Sequence, residues 1–230
     1  MPITIDNSKE FERLLDGLSN DIVTAAIHLK LHKDLRESIA NYVREFNESN
    51  TFWQLTLNAH LQHGLHCLAR AFDQQASALS LRNWLETIRQ NLHFFSEDSF
   101  RERLSNNPFV DSLAEHARTP DLGLLNQHIA GCSPNDSLVK RVIQIRHNVL
   151  GHRSANHASQ GKNPYADFPL TFGDIDALID RALNVYNTYN QLFRATQQSS
   201  QIVGHDDFRH ILDAVRRDRQ RQEQMYSEML

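Results

Sequence analysis

Between positions 146 and 153 the chain reads Arg-His-Asn-Val-Leu-Gly-His-Arg. Two guanidiniums (Arg146, Arg153), two imidazoles (His147, His152) and the Asn148 amide thus fall within eight residues. A guanidinium presents planar donors that match phosphate oxygens. An imidazole titrates near neutral pH and can give or take a proton during a reaction. The combination suits chemistry on a phosphate, with Arg146 as the charge clamp and His152 as the proton carrier. A plainer reading also stands, because cationic side chains gather at helix C-termini through the helix dipole alone. At roughly 100° per residue, Asn148 and His152 share a face, as do Arg146 and Arg153. Arg146 and His152 are about 120° apart on a regular helix. Gly151 lies between them and can release His152 from regular geometry.

Other devices for handling phosphate or acyl groups are missing. The sequence contains no G-x-G-x-x-G, no G-x-x-x-x-G-K-[ST], no H-E-x-x-H and no G-x-S-x-G. Histidines do recur at helical spacing. His60, His63 and His66 follow at i, i+3, i+6, and His28 and His32 form an i, i+4 pair. Two histidines one turn apart can share a metal, and the nearby Gly-Leu-His-Cys run at 64–67 adds a thiol. No carboxylate lies among the first set, and Asp34 falls on a different helix face from the second pair. Surface or half-buried histidines are the simpler reading, and no metal and no cofactor is expected. Cys67 and Cys132 are the only cysteines, and no C-x-x-C or disulfide framework is implied.

The elements that must position residues 146–153 are helices. Eight glycines and six prolines are too few for the turns of a β-rich chain of 230 residues. Asn7 with Glu10 predicts a helix start, followed by Phe11, Leu14, Leu15 and Leu18 on one face. A second helix is expected after Asp21, running through Leu35, Ile39, Tyr42, Val43 and Phe46. A third spans about Thr51–Phe72, and Ser80 caps a fourth that carries Leu81, Trp84, Leu85, Ile88 and Leu92. Asn107–Pro108 and Pro120 divide residues 96–130 into short helices. Ser133 as cap, Pro134 at the first position and Asp136 three on open the helix that ends near Gly151. A polar loop fills 154–170, and Thr171-x-x-Asp174 starts a last core helix. In the tail, Phe208, Ile211, Leu212 and Val215 can dock one helical face. Residues 216–224 carry Arg216, Arg217, Arg219 and Arg221 without an apolar residue, which suits an exposed helix, a frayed end or an RNA- or partner-contacting arm.

Bulk composition bounds the function classes. Forty per cent hydrophobic and 23% charged residues are ordinary globular usage, so disorder is not expected. A net charge of −4 excludes a strongly basic nucleic-acid binder but permits an RNA enzyme with a local basic site. The N-terminal residues lack a basic-then-apolar signal, and no apolar run approaches about 18 residues. The expectation is a cytoplasmic protein without a membrane span.

The Arg-x5-His spacing of Arg146 and His152, with His147 directly after the arginine, resembles the motif of the HEPN superfamily of all-helical ribonucleases. Together with Pro169-Leu-Thr-Phe-Gly-Asp-Ile-Asp-Ala-Leu-Ile-Asp-Arg-Ala-Leu183 and the earlier Ala69-Arg-Ala-Phe-Asp73 and Ser80-Leu81, it is similar to abortive-infection (AbiU-type) members. The likeness covers about residues 20–195. It implies an antiparallel helical bundle over 1–204, with additional short helices and a C-terminal helical extension at 205–230. It further implies metal-independent RNA cleavage by 2′-hydroxyl attack in a phage-defence or toxin setting. Arg146 and His152 are then catalytic, and His147, Asn148 and Arg153 bind substrate. RNA, a second copy in a homodimer and an antitoxin are the implied partners. The alternatives are a non-catalytic HEPN-like bundle that binds RNA or a protein, and a metal-binding bundle built on His60, His63 and His66. One departure is Ser154, where relatives often carry an acidic residue. Arg70 and Asp73 read as a structural ion pair tying the third helix to the motif helix, rather than as part of the site.

Overall fold

The computed structural model describes residues 1–116, 118–151, 159–161, 167 and 169–229. Among these residues every regular element is helical, as the scarcity of turn formers predicts. Helix α1 spans Ser8–Ser38. Asn7 caps it: the Glu10 amide donates to the Asn7 side chain at 3.0 Å, and the Glu10 carboxylate accepts from the Asp6 amide at 2.9 Å. The two helices expected here are one. No proline interrupts residues 16–22, and Phe11, Leu15, Leu18, Ile22 and Ala25 continue a single buried stripe through them. The helix expected to run on to Phe46 stops at Ser38 instead. The Ser38 hydroxyl donates back to the Asp34 carbonyl at 2.7 Å, a bond that bends helices. A 3-10 turn at Ile39–Asn41 then leads to α2, Val43–Glu48.

Helix α3 covers Asn50–Ala71, and α4 covers Leu81–Gln90 with Ser80 as its cap. A 3-10 turn at Leu92–Phe95 precedes the short helices α5 (Glu97–Arg103) and α6 (Val110–Ala114). Then come α7 (Leu122–Gly131), α8 (Ser137–Ile145), α9 (Phe172–Arg194) and α10 (Phe208–Glu228). The chain divides into two compact units, residues 1–25 with 65–200, and residues 26–64 with 201–230.

In the first unit Trp84 is fully buried, with Phe11 stacked at 6.1 Å, Tyr186 stacked at 6.0 Å and Tyr189 edge-on at 5.8 Å. Phe193 lies 4.8 Å from Phe11. These rings join the start of α1 to α4 and α9, and α8 packs on α9. The second unit has its own core of Leu35, Phe46, Trp53, Phe208 and Leu212. Of the four tail residues expected to dock, Ile211 is instead 58% exposed. The arginine run is helical, and two of its members are engaged: Arg216 Nε and Arg219 Nη2 reach the buried Glu45 carboxylate at 3.0 and 2.8 Å. The Arg216 bond outweighs burial and holds Glu45 down at about 2.

Four of the histidines at helical spacing, His28, His32, His60 and His63, lie in this second unit. Gly64 lets α3 approach α1 closely, since a Cβ there would stand 2.6 Å from Leu29. His28 and His60 consequently bond through their Nδ1 atoms at 3.0 Å, and the His63 ring lies 4.5 Å from that of His28. His32 Nδ1 bonds the Leu57 carbonyl at 2.9 Å. Burial first, and the neighbouring imidazoles second, lower the proton affinity of His28 and His60; burial likewise lowers that of His32. Among the described residues no group of three His, Cys, Asp or Glu side chains is arranged to hold a metal, and none of the helices is long and apolar enough to cross a membrane.

A folded pKa below the unfolded value means that the unfolded chain takes up protons first as pH falls. The contribution of these three histidines is therefore complete above the ordinary value of 6.5 and declines as pH drops below it. Thermal unfolding across pH 7.5 to 5 should show a falling midpoint, and His28→Gln should flatten that dependence. An unchanged slope in the variant would remove the histidines as its source.

Candidate functional site

The residues singled out from the sequence follow α8, so the anchoring of α8 decides where they sit. Its cap is Asp136 rather than Ser133. The Asp136 carboxylate accepts from the Leu138 and Val139 amides at 3.0 and 3.1 Å. Ser133 instead accepts from the Asn135 amide at 3.3 Å and closes the turn ahead of the helix. Arg181 on α9 pairs with Asp136 at 3.0 Å and donates to the Gly131 carbonyl at 2.8 Å. Burial pushes the Asp136 carboxyl up, but the amide bonds and Arg181 together outweigh it and hold it below its ordinary value.

A second arginine ties the two helices one turn later. Arg141 donates to the Pro169 carbonyl at 3.0 Å and to Asp174 at 3.2 Å. Asp174 is also half of the capping box expected from Thr171-x-x-Asp174: its amide donates to the Thr171 hydroxyl oxygen at 3.0 Å, and its carboxylate accepts the Thr171 amide at 2.9 Å. Val139, Val142 and Ile145 bury the inner face of α8. The helix is thus fixed along its length before it reaches the motif.

At Arg146 the regular α-helix ends. Residues Arg146–Leu150 form a π-helical turn, closed by the Gly151 amide donating to the Arg146 carbonyl at 2.7 Å. Such turns are rare and recur at functional sites. The angles expected from 100° per residue do not apply across it. Gly151 packs over the turn, and a Cβ at that position would stand 3.0 Å from the Arg146 carbonyl oxygen.

The side chains of the motif have different surroundings. The Arg146 guanidinium pairs through Nη1 with Asp73 Oδ2, while 27% of the side chain is exposed. His147 is exposed. Asn148 donates to the Gln144 carbonyl at 2.8 Å, turning its amide back on the helix. His152, Arg153 and Ser154 lie outside the described residues, so the structure brings Arg146, His147 and Asn148 onto one turn and carries no geometry for the other two site residues.

The expected Arg70–Asp73 pair is replaced by two others. Arg70 Nε bonds both carboxylate oxygens of Asp21 at 3.2 and 3.1 Å, and Asp73 takes Arg146. The end of α3 is therefore tied to the motif, but by a different arginine. Asp73 is the residue that sequence reasoning placed outside the site. Its one signal was an acidic residue directly after the third helix, and spacing alone gives no way to choose between Arg70 and Arg146 as its partner.

Because Asp136 supplies both the cap and the Arg181 contact, Asp136→Ala should cost about 1–2 kcal/mol of stability, read from urea unfolding. A loss well under that range would mean that the helix start is held by its apolar face alone.

No curated protein and no solved structure matches this chain. A family model does match, the HEPN family described as AbiU2, over residues 8–221. That span takes in all of the helices from α1 to α9 and most of α10. An all-helical chain with Arg146 on a π-turn at the end of a doubly anchored helix, matched over nearly its whole length, belongs to the AbiU2 family of HEPN-type abortive-infection proteins.

Proposed function

We propose that this protein is a metal-independent endoribonuclease in which Arg146 and His152 do the chemistry. The observation that carries the reading is the state of Arg146: in a chain of this family, the guanidinium of the arginine six positions ahead of His152 is held by an acidic partner while more than a quarter of the side chain stays exposed. A fixed cation with an open face suits a phosphate that gains charge as it reacts.

In this reading the RNA 2′-oxygen attacks the adjacent phosphorus while its proton passes to a base. The bond from phosphorus to the 5′-oxygen breaks, and that oxygen takes up a proton. The products are a 2′,3′-cyclic phosphate and a 5′-hydroxyl. Arg146 stabilises the pentacoordinate phosphorane, and His152 serves as general acid or base. The exposed His147, together with Asn148 and Arg153, contacts and orients the RNA backbone. A homodimer would set two such motifs across one cleft by two-fold symmetry. The setting is phage defence or toxicity in the cytoplasm, with an antitoxin as a further partner.

Purified protein should cut single-stranded RNA in EDTA and leave 2′,3′-cyclic ends. His152→Ala should abolish cutting and Arg146→Ala should lower it about 100- to 1000-fold, each while retaining the wild-type helical circular dichroism. Equal cutting by wild type and variants would assign the activity to a contaminant, and an inactive wild type would favour a non-catalytic bundle that binds RNA or a protein. Light scattering should return a dimer at micromolar concentration; a clean monomer would remove the paired-site arrangement.

A further inference from the structure

We infer that Asp73 is the positioning residue of the site, the group that fixes where the Arg146 guanidinium stands. The inference rests on the ribonuclease reading and names a residue which that reading does not contain.

Asp73 lies just past the end of α3, and its two oxygens have separate tasks. Oδ1 accepts the Gln74 amide at 2.7 Å and the Gln75 amide at 3.1 Å. Oδ2 meets Arg146 Nη1. The backbone therefore sets the carboxylate plane, and the carboxylate sets the arginine. The turn that carries it is pinned in its own right. Gln74 Nε2 donates to the Phe72 carbonyl at 2.8 Å and to the Cys132 carbonyl at 3.0 Å, and Gln74 Oε1 accepts from Arg82 at 3.0 Å. Cys132 immediately follows α7 on the way to α8, so the turn is referenced to the same part of the chain that starts the motif helix.

The burial of the two partners is unequal. The Asp73 side chain is 8% exposed and that of Arg146 is 27% exposed. A buried carboxylate strongly retains its cation, because losing it leaves an uncompensated charge away from water. The more open partner is the one that faces a ligand. An arginine stem has many rotamers, and this contact selects among them before any phosphate arrives. A guanidinium carries five N–H donors, so one held at Nη1 keeps others with which to bind a phosphate.

Asp73→Asn tests this directly. The amide oxygen can still accept from Gln74 and Gln75, but an NH2 group replaces the oxygen that faces Arg146. The rate constant kcat should fall about 10- to 100-fold, the size of loss that displacement by an ångström brings, with KM little changed. Thermal unfolding of Arg146→Ala with and without Asp73→Asn separates structure from positioning, and any residual cutting left by Arg146→Ala should not fall further when Asp73→Asn is added, since Asp73 acts only through Arg146. A wild-type kcat in Asp73→Asn overturns the inference. So does an equal further loss on top of Arg146→Ala, which would mark a merely structural role, and so does a gain in rate, which would make the carboxylate a competitor of phosphate. Should Asp73→Asn fail to fold, Asp73→Glu carries the test. It keeps the charge and moves the carboxylate by one methylene, so kcat should drop several-fold with the fold retained; an unchanged kcat overturns the inference. A folded wild type with no ribonuclease activity removes the underlying reading and this role together, and the wild-type lane alone reports that case.

Discussion

The first unit depends on the complete burial of Trp84. A large indole at zero exposure demands neighbours on every side, and Phe11, Tyr186 and Tyr189 supply them from α1 and α9. Aromatic rings carry a large apolar area and favour tilted or offset contacts, so this one residue restrains three helices at once. Once α9 is set, α8 has a surface on which to lie. Val139, Val142 and Ile145 supply the apolar half of that contact, and Arg141 and Arg181 supply the charged half. The position of Arg146 is the last step of this chain of constraints.

The charged contacts around α8 differ in kind from surface ion pairs. Exposed pairs contribute little, about 0–1 kcal/mol. Arg181 reaches both a helix cap and the carbonyl of Gly131, and Arg141 reaches both a capping box and the carbonyl of Pro169. Each guanidinium thereby completes backbone groups that a helix end or a loop leaves without partners. These contacts set register more than they add strength. The Asp73–Arg146 pair extends the same pattern into the motif, where the backbone of the 73–75 turn does the holding.

Local signals in the sequence translated well. Thr171 with Asp174, Ser80, and Asn7 with Glu10 all act as caps, and in a chain poor in glycine and proline every regular element among the described residues is helical. The misreadings came where two local rules competed or where the partner was distant. Ser133 and Asp136 both suit a helix start, and Asp136 prevails because Arg181, 45 positions on, rewards it. Asp21 suggests a fresh helix, yet the buried stripe of α1 runs through it. Arg70 lies three residues from Asp73, the spacing of helix neighbours, but Asp73 is past the helix end and Asp21 claims Arg70 from α1. The π-turn has no sequence signature beyond Gly151, whose small size suits a backbone packed 3.0 Å from where a Cβ would stand.

The last helix contributes more than its composition suggests. Phe208 and Leu212 complete the core that begins with Leu35, Phe46 and Trp53, and two of its arginines neutralise Glu45. A chain cut short before residue 201 would keep residues 26–64 but expose a Trp, a Phe and a Leu to water and leave a sunken carboxylate without its cations. Removing the whole of the last helix to improve solubility would therefore produce a stickier protein.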